Sequence, residues 1–198
     1  MYTMCMARRN HNFAVGEYYH CYNRGVDKRT IFLDSKDFQY FLKALITYNS
    51  AKAIKKMRLY NQEDHEKPIV EIVAYCLLPN HFHLLLKELE PNGISKFLQK
   101  TSISYTMAFN EKYKRSGVLF QGPFKSKHIE TDQDLQQVIA YITYNNIIHN
   151  INDTSLFRST LNTDSIIVRD PYSHTSISQK NMRGIVDIIK DQRLSFDH

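Results

Sequence analysis

The sequence predicts an α+β domain built around an antiparallel sheet. Three observations predict it. Short strand-like runs occur at 17–23, rich in aromatics, at 69–78, rich in β-branched residues, and at 81–87, which returns as HFHLLLK. Apolar residues recur at helical spacing near 35–57, 94–113 and 132–148. Only Pro79-Asn80 joins the second and third runs, and so short a link forces an antiparallel hairpin.

Residues 1–15 read as a loose, basic lead-in. The segment 17–23 (EYYHCYN) reads as the first strand, and Arg24-Gly25 begins a turn. Asp34 or Ser35 can cap the first helix by offering a side-chain oxygen to its open N–H groups. Phe38, Phe41, Leu42 and Leu45 then mark its core face, and the helix is expected to extend to about Met57. The polar stretch 58–68, ending in Pro68, reads as an exposed connection. Residues 69–78 (IVEIVAYCLL) and 81–87 (HFHLLLK) form the hairpin. After the break at Pro91-Asn92-Gly93 comes a second helix, with Ile94, Phe97, Leu98, Ile103 and Tyr105 among its apolar positions. The stretch 117–129 (GVLFQGPFKSKHI) is a loop interrupted by Gly and Pro that leads into a short strand. Thr131 or Asp132 caps a third helix, whose core stripe is Leu135, Val138, Ile139 and Ile142. Residues 150–179 are loop-rich, and 184–191 read as a short terminal helix. The order strand, helix, strand, strand, helix, strand, helix is the split βαβ, ferredoxin-like or RRM-like sandwich with an added C-terminal helix.

The chain has 198 residues, enough for one domain with a real core. The expected layout is a lead-in at 1–16, one domain over 17–150, and a C-terminal extension at 151–198 packed on it. No run approaches the roughly 20 apolar residues that span a bilayer, and the N-terminus lacks the apolar core of a signal peptide. Cys5, Cys21 and Cys76 show no metal-type spacing and read as reduced thiols in a cytoplasmic protein. The net charge is +6. Residues 1–60 carry +7 and residues 91–130 carry +5, whereas 61–90 carry −4 and 131–198 carry −2. Two basic segments thus make the excess, as expected if they converge on a polyanion. Charge alone fits solvated helix faces better.

His81 and His83 stand two apart on a predicted strand, so both imidazoles point to one face while Phe82 points into packing. Two such imidazoles can share a metal ion; the spacing fits two polar residues on a half-exposed strand as well. Tyr141 and Asn145 are neighbours on one face of the third helix, flanking its apolar stripe. Tyr144 is close by, and spacing alone does not choose between the two tyrosines.

Four segments, taken together and in this order, resemble the IS200/IS605-type single-tyrosine transposases, especially their REP-associated branch. They are EYYHCYNRGVDKRTIF at 17–32, AYCLLPNHFHLLLK at 74–87, GVLFQGPFKSKHI at 117–129 and YITYNN at 141–146. The resemblance implies that His81 and His83 bind a metal, that Tyr141 is the nucleophile, and that Asn145 completes the metal site. It implies cleavage and rejoining of hairpin-bearing single-stranded DNA through a 5′-phosphotyrosine. Bond energy is then kept in the covalent link, so no nucleotide cofactor is needed. The implied metal is Mg²⁺ or Mn²⁺, and two imidazoles also suit Zn²⁺. Arg24, Lys28, Arg29, Lys112, Lys114, Arg115, Lys125 and Lys127 are the candidate DNA-binding residues, with Phe120, Phe124 and Tyr113 interleaved either as base-stacking faces or as core. A homodimer with a shared active site is compatible with the resemblance, and no membrane partner is expected. Three rivals stand beside this reading. One is a domesticated enzyme that processes repeated palindromes without moving itself. The others are a non-catalytic nucleic-acid-binding module and a metal hydrolase that leaves no protein–DNA adduct.

Overall fold

The computed structural model describes residues 12–50 and 67–148, with side chains through residue 142. Among these residues, four strands and three α-helices alternate as the sequence predicts: β1 (Tyr18–Arg24), α1 (Ser35–Thr47), β2 (Val70–Leu78), β3 (His81–Glu88), α2 (Gly93–Lys112), β4 (Lys125–Ile129) and α3 (Asp132–Ile148). A single 3₁₀ turn, Val26–Lys28, follows β1. The sheet order is β2-β3-β1-β4. Every pairing is antiparallel. This is the split βαβ order, and the expected fold class holds. The expected lead-in through residue 11, Cys5, most of the connection 58–68, and the terminal helix at 184–191 lie outside the described residues.

The sheet has two apolar faces. On one, Tyr19, Cys21, Phe82, Leu84 and Leu86 pack against Phe38, Phe41 and Leu45 of α1 and Phe97 and Tyr105 of α2. On the other, Leu85, Cys76 and Leu78 pack against Leu135, Val138 and Ile142 of α3. The added helix therefore covers the face that α1 and α2 leave open, and a surface left apolar on both sides of the sheet requires it.

A bulge in β2 makes that second core. Ile72 pairs with Leu86 but Ala74 pairs with Leu85, so Val73 is an extra residue. Side chains alternate along a strand, and one inserted residue flips the parity beyond it. Val70 and Ile72 accordingly face α1 and α2, whereas Ala74, Cys76 and Leu78 face α3.

Local chemistry sets the element ends. Asp34 caps α1 by accepting from the Asp37 N–H at 3.1 Å, and the Asp37 carboxylate accepts in return from the Asp34 N–H at 3.3 Å. Helix α1 stops at Thr47 rather than near Met57. Tyr48 is its C-cap, and the Asn49 side chain then accepts from the Ile69 and Val70 N–H groups and donates to the Val70 carbonyl, tying the chain after α1 to the start of β2. In α2 the buried stripe is Ile94, Phe97, Leu98, Thr101, Tyr105 and Phe109. Ile103, expected among the apolar positions, is exposed because it falls on the opposite side of the turn. The Thr131 hydroxyl caps α3 by accepting from the Asp134 N–H at 3.1 Å.

Candidate active site

The antiparallel registers bring three histidines together. In β3, His81 and His83 project to the α3 face with Leu85, while Phe82 is fully buried on the opposite one. Register pairs His83 with Tyr22 and Cys76, and His81 with Arg24 and Leu78. On β1 the residues of that face are Tyr18, His20, Tyr22 and Arg24. His20 therefore sits one pleat from His83, and their Nε2 and Nδ1 atoms lie 2.9 Å apart. Both rings are fully buried. Burial, then the positive charge of Lys127, holds the His20 imidazole down to about 3, so it is neutral at physiological pH.

The turn between β2 and β3 aims His81. Asn80 Oδ1 lies 2.6 Å from His81 Nδ1. The Asn80 amide is itself oriented by donation to the Lys28 carbonyl at 3.4 Å, and its backbone carbonyl accepts from the Gly25 N–H at 2.8 Å. The chain bends back against this turn at Gly25, where a Cβ would collide with the Arg29 carbonyl oxygen. The Gly25–Phe32 loop thus holds the turn, and the turn holds His81.

From the opposite layer, α3 delivers Tyr141. Its ring stands edge-on to His83 with centroids 5.5 Å apart, and edge-on to His20 at 6.1 Å. The sequence places Tyr141 on the flank of the apolar stripe; the structure places it within that stripe, only 4% exposed. The sheet beneath it supplies aromatic and imidazole faces, which complete the packing that a half-turn of helix alone does not show. Asn145 and Tyr144 lie on α3, and their side chains fall outside the described residues.

The donor chemistry fits a divalent metal. His81 and His83 have centroids 4.9 Å apart and rings nearly perpendicular, and imidazole nitrogen is a common ligand for such ions. Among the described residues no group of three His, Cys, Asp or Glu side chains is placed to hold an ion.

The basic candidates divide by position. Lys125 and Lys127 pair with Tyr22 and His20 on the edge strand β4, so they share the histidine face and are exposed. Arg24 ends β1 opposite His81 and donates to Gln121. Lys28 and Arg29 lie in the turn after β1, with Arg29 beside Asp27 at 3.8 Å. Lys114 is exposed after α2. Lys112 is on the other layer, clamped between Asp34 and Asp37 at 2.8 and 2.7 Å. Arg115 fastens its own loop, donating to Asn110 and to the Val118 carbonyl. Phe120 and Phe124 are core residues, and Tyr113 packs against that core while donating to Asp37 at 2.8 Å. Two site residues, His20 and Tyr22, escape a motif-based reading. Strand alternation in EYYHCYN is the signal that points to them.

Comparisons with known proteins bear on the family and the fold. Residues 18–145 match the sequence model of the family described as transposase IS200-like. A solved REP-associated tyrosine transposase bound to a REP hairpin is 19% identical, with a TM-score of 0.54 over 73% of this chain and 74% of that one. A candidate transposase from Deinococcus radiodurans R1 is 14% identical, with a TM-score of 0.41 over 69% of this chain and 95% of that one. No curated protein matches. The family match covers most of the chain and contains every strand, both histidines of the β3 pair and the tyrosine opposite them: this protein belongs to the IS200-like transposase family.

Proposed function

We propose that this chain is a metal-dependent transposase that cleaves and rejoins hairpin-bearing single-stranded DNA, with Tyr141 as nucleophile. The observation that carries this reading is the Tyr141 ring set edge-on to His83, 5.5 Å away, with His81 beside it. A phenol is a weak nucleophile near neutral pH. A divalent ion held by His81, His83 and Asn145 would draw charge from a phosphate oxygen and stabilise the transition state. The Tyr141 oxygen attacks phosphorus in line and the O3′ bond breaks. The products are a 5′-phosphotyrosine and a free 3′-hydroxyl. The phenol proton passes to the leaving oxygen or to water. Attack by a 3′-hydroxyl reverses the step and releases Tyr141, so no nucleotide cofactor is consumed.

The neighbour solved with a REP hairpin supports a hairpin DNA partner. Lys125, Lys127 and Arg24 share the histidine face and suit its phosphates; Lys28 and Arg29, in the turn after β1, and Lys114, exposed after α2, are further candidate phosphate contacts. Among the described residues no helix is long and apolar enough to cross a membrane, and the buried thiol of Cys76 suits a reducing cytoplasm.

An adduct assay tests the proposal. End-labelled hairpin DNA and Mn²⁺ are incubated with the protein and resolved on a denaturing gel. A covalent complex is expected with wild type and absent from Tyr141→Phe and His81→Ala. If the complex survives Tyr141→Phe and vanishes in Tyr144→Phe, the nucleophile is Tyr144. DNA binding without an adduct in any metal would leave a binding module.

A further inference from the structure

The two imidazoles of β3 are each approached at Nδ1 by a second polar side chain. His83 Nδ1 faces His20 Nε2 at 2.9 Å. His81 Nδ1 faces Asn80 Oδ1 at 2.6 Å. A neutral imidazole carries one proton on one of two nitrogens, and the nitrogen without it is the one that can ligate a metal.

For His81 the direction follows from Asn80. Its Nδ2 already donates to the Lys28 carbonyl, which turns Oδ1 toward His81. An amide oxygen only accepts, so His81 Nδ1 carries the proton and Nε2 keeps its lone pair. For His83 the contact alone allows two arrangements. If His20 Nε2–H donated, His83 would carry its own proton on Nε2, and that nitrogen could not ligate. If His83 Nδ1–H donates, His20 accepts at Nε2 and His83 Nε2 keeps its lone pair. Ligation through Nε2 selects the second arrangement.

We propose that His20 and Asn80 are the positioning residues of the metal centre: each accepts the Nδ1–H of one ligand histidine, and together they present both Nε2 atoms to the ion. The proposal rests on the metal reading above. It explains why a polar imidazole stands fully buried at His20 on β1, where an apolar residue would pack at no cost in desolvation. It also explains why the loop at Gly25 is folded tightly against the Asn80 turn. Hydrogen-bonded partners of ligand histidines fix ring orientation and raise ligand basicity, and their removal typically lowers metal affinity about 10- to 100-fold.

Two measurements on the full chain test this. Long-range ¹H–¹⁵N NMR of the metal-free protein reads the tautomers directly. His81 and His83 are expected as Nδ1–H forms, with His83 passing to the Nε2–H form in His20→Leu. Mn²⁺ titration by calorimetry, without DNA, reads the consequence. His20→Leu and Asn80→Leu are expected to weaken Mn²⁺ binding about 10- to 100-fold, and His20→Gln and Asn80→Asp, which keep an acceptor, to recover most of it. An Nε2–H tautomer at His83 in wild type overturns the proposal even if no variant folds. Equal Mn²⁺ affinity across wild type and folded variants overturns it while leaving the metal reading intact. Absence of Mn²⁺ binding by wild type overturns both.

Discussion

The ring of Tyr141 meets the ring of His83 edge-on, at 89° and 5.5 Å between centroids. One residue comes from the last described helix and the other from the third strand, and they meet because α3 lies across the sheet face that β3 turns its histidines toward. The contact makes Tyr141 both a core residue and a candidate nucleophile. The two roles separate by mutation. Tyr141→Phe keeps the ring and removes only the hydroxyl, so stability should change by about 1 kcal/mol or less, while the DNA adduct disappears. A thermal melt and a denaturing gel on the same preparation measure both. A collapse of the melt would mean that the hydroxyl is structural.

The basic side chains should sort by layer. Lys125 and Lys127 stand on the histidine face. Changing both to Gln should weaken single-stranded DNA binding and reduce the slope of log affinity against log salt by roughly 1.4, about 0.7 for each phosphate no longer neutralised. Lys112 is held by two carboxylates on the far layer. Lys112→Gln should leave that slope unchanged. Fluorescence anisotropy across a salt series distinguishes the two sets.

The Lys112 cluster also predicts a pH dependence. The hydrogen bond from Lys112 holds the Asp34 carboxyl below its ordinary range. A depressed carboxyl contributes stability above its unfolded value, near 3.9, and that contribution is lost as pH falls through the folded value. Burial pulls Lys112 down, but the hydrogen bonds to Asp34 and Asp37 outweigh it and raise the ammonium overall. That contribution is complete below the ordinary lysine value, near 10.4, and is lost as pH rises through the raised one. Lys112→Met should therefore flatten the acid and alkaline flanks of a plot of melting temperature against pH. Unchanged flanks would show that the cluster is too well solvated to matter.

Glu88 should matter to folding more than to chemistry. Its fully buried carboxylate accepts from the Gly93 and Ile94 N–H groups at 3.0 and 2.8 Å. Those donors open α2, where a negative charge also answers the helix dipole. Glu88→Ala leaves both donors buried and should cost about 2–3 kcal/mol. Glu88→Gln retains one acceptor and should cost about half as much. Urea midpoints measure the two, and equal values would remove the capping argument.

Much of the fold is legible in the sequence because its signals are local. Phe38, Phe41, Leu42 and Leu45 repeat at helical spacing, Pro79-Asn80 joins two strands too closely for anything but a hairpin, and Asp34 and Thr131 are capping residues where caps are needed. The end of α1 is not legible. Nothing near Asn49 in sequence shows that its amide is engaged by β2, about 20 residues on. The reach of Tyr141 is also hidden, because a helix pattern describes one face and says nothing of the sheet that will cover its flank.

The amino-acid order by itself determined the element types, the shared face of His81 and His83, and the family to which the chain belongs. Each follows from periodicity within a few residues or from motifs read in sequence. Only the tertiary structure decided which distant residues share that face. His20 reaches His83 through the register of β1 with β3, and Lys125 and Lys127 reach it through β4. The parity flip at Val73 turns Cys76 and Leu78 toward α3 to floor the site. Lys112, basic like the others, is removed from the site by an ion pair across two helices. Periodicity is set by covalent geometry and survives in any short window. Register, bulges and ion pairs are choices among long-range contacts, and those exist only once the sheet and both helical layers have closed.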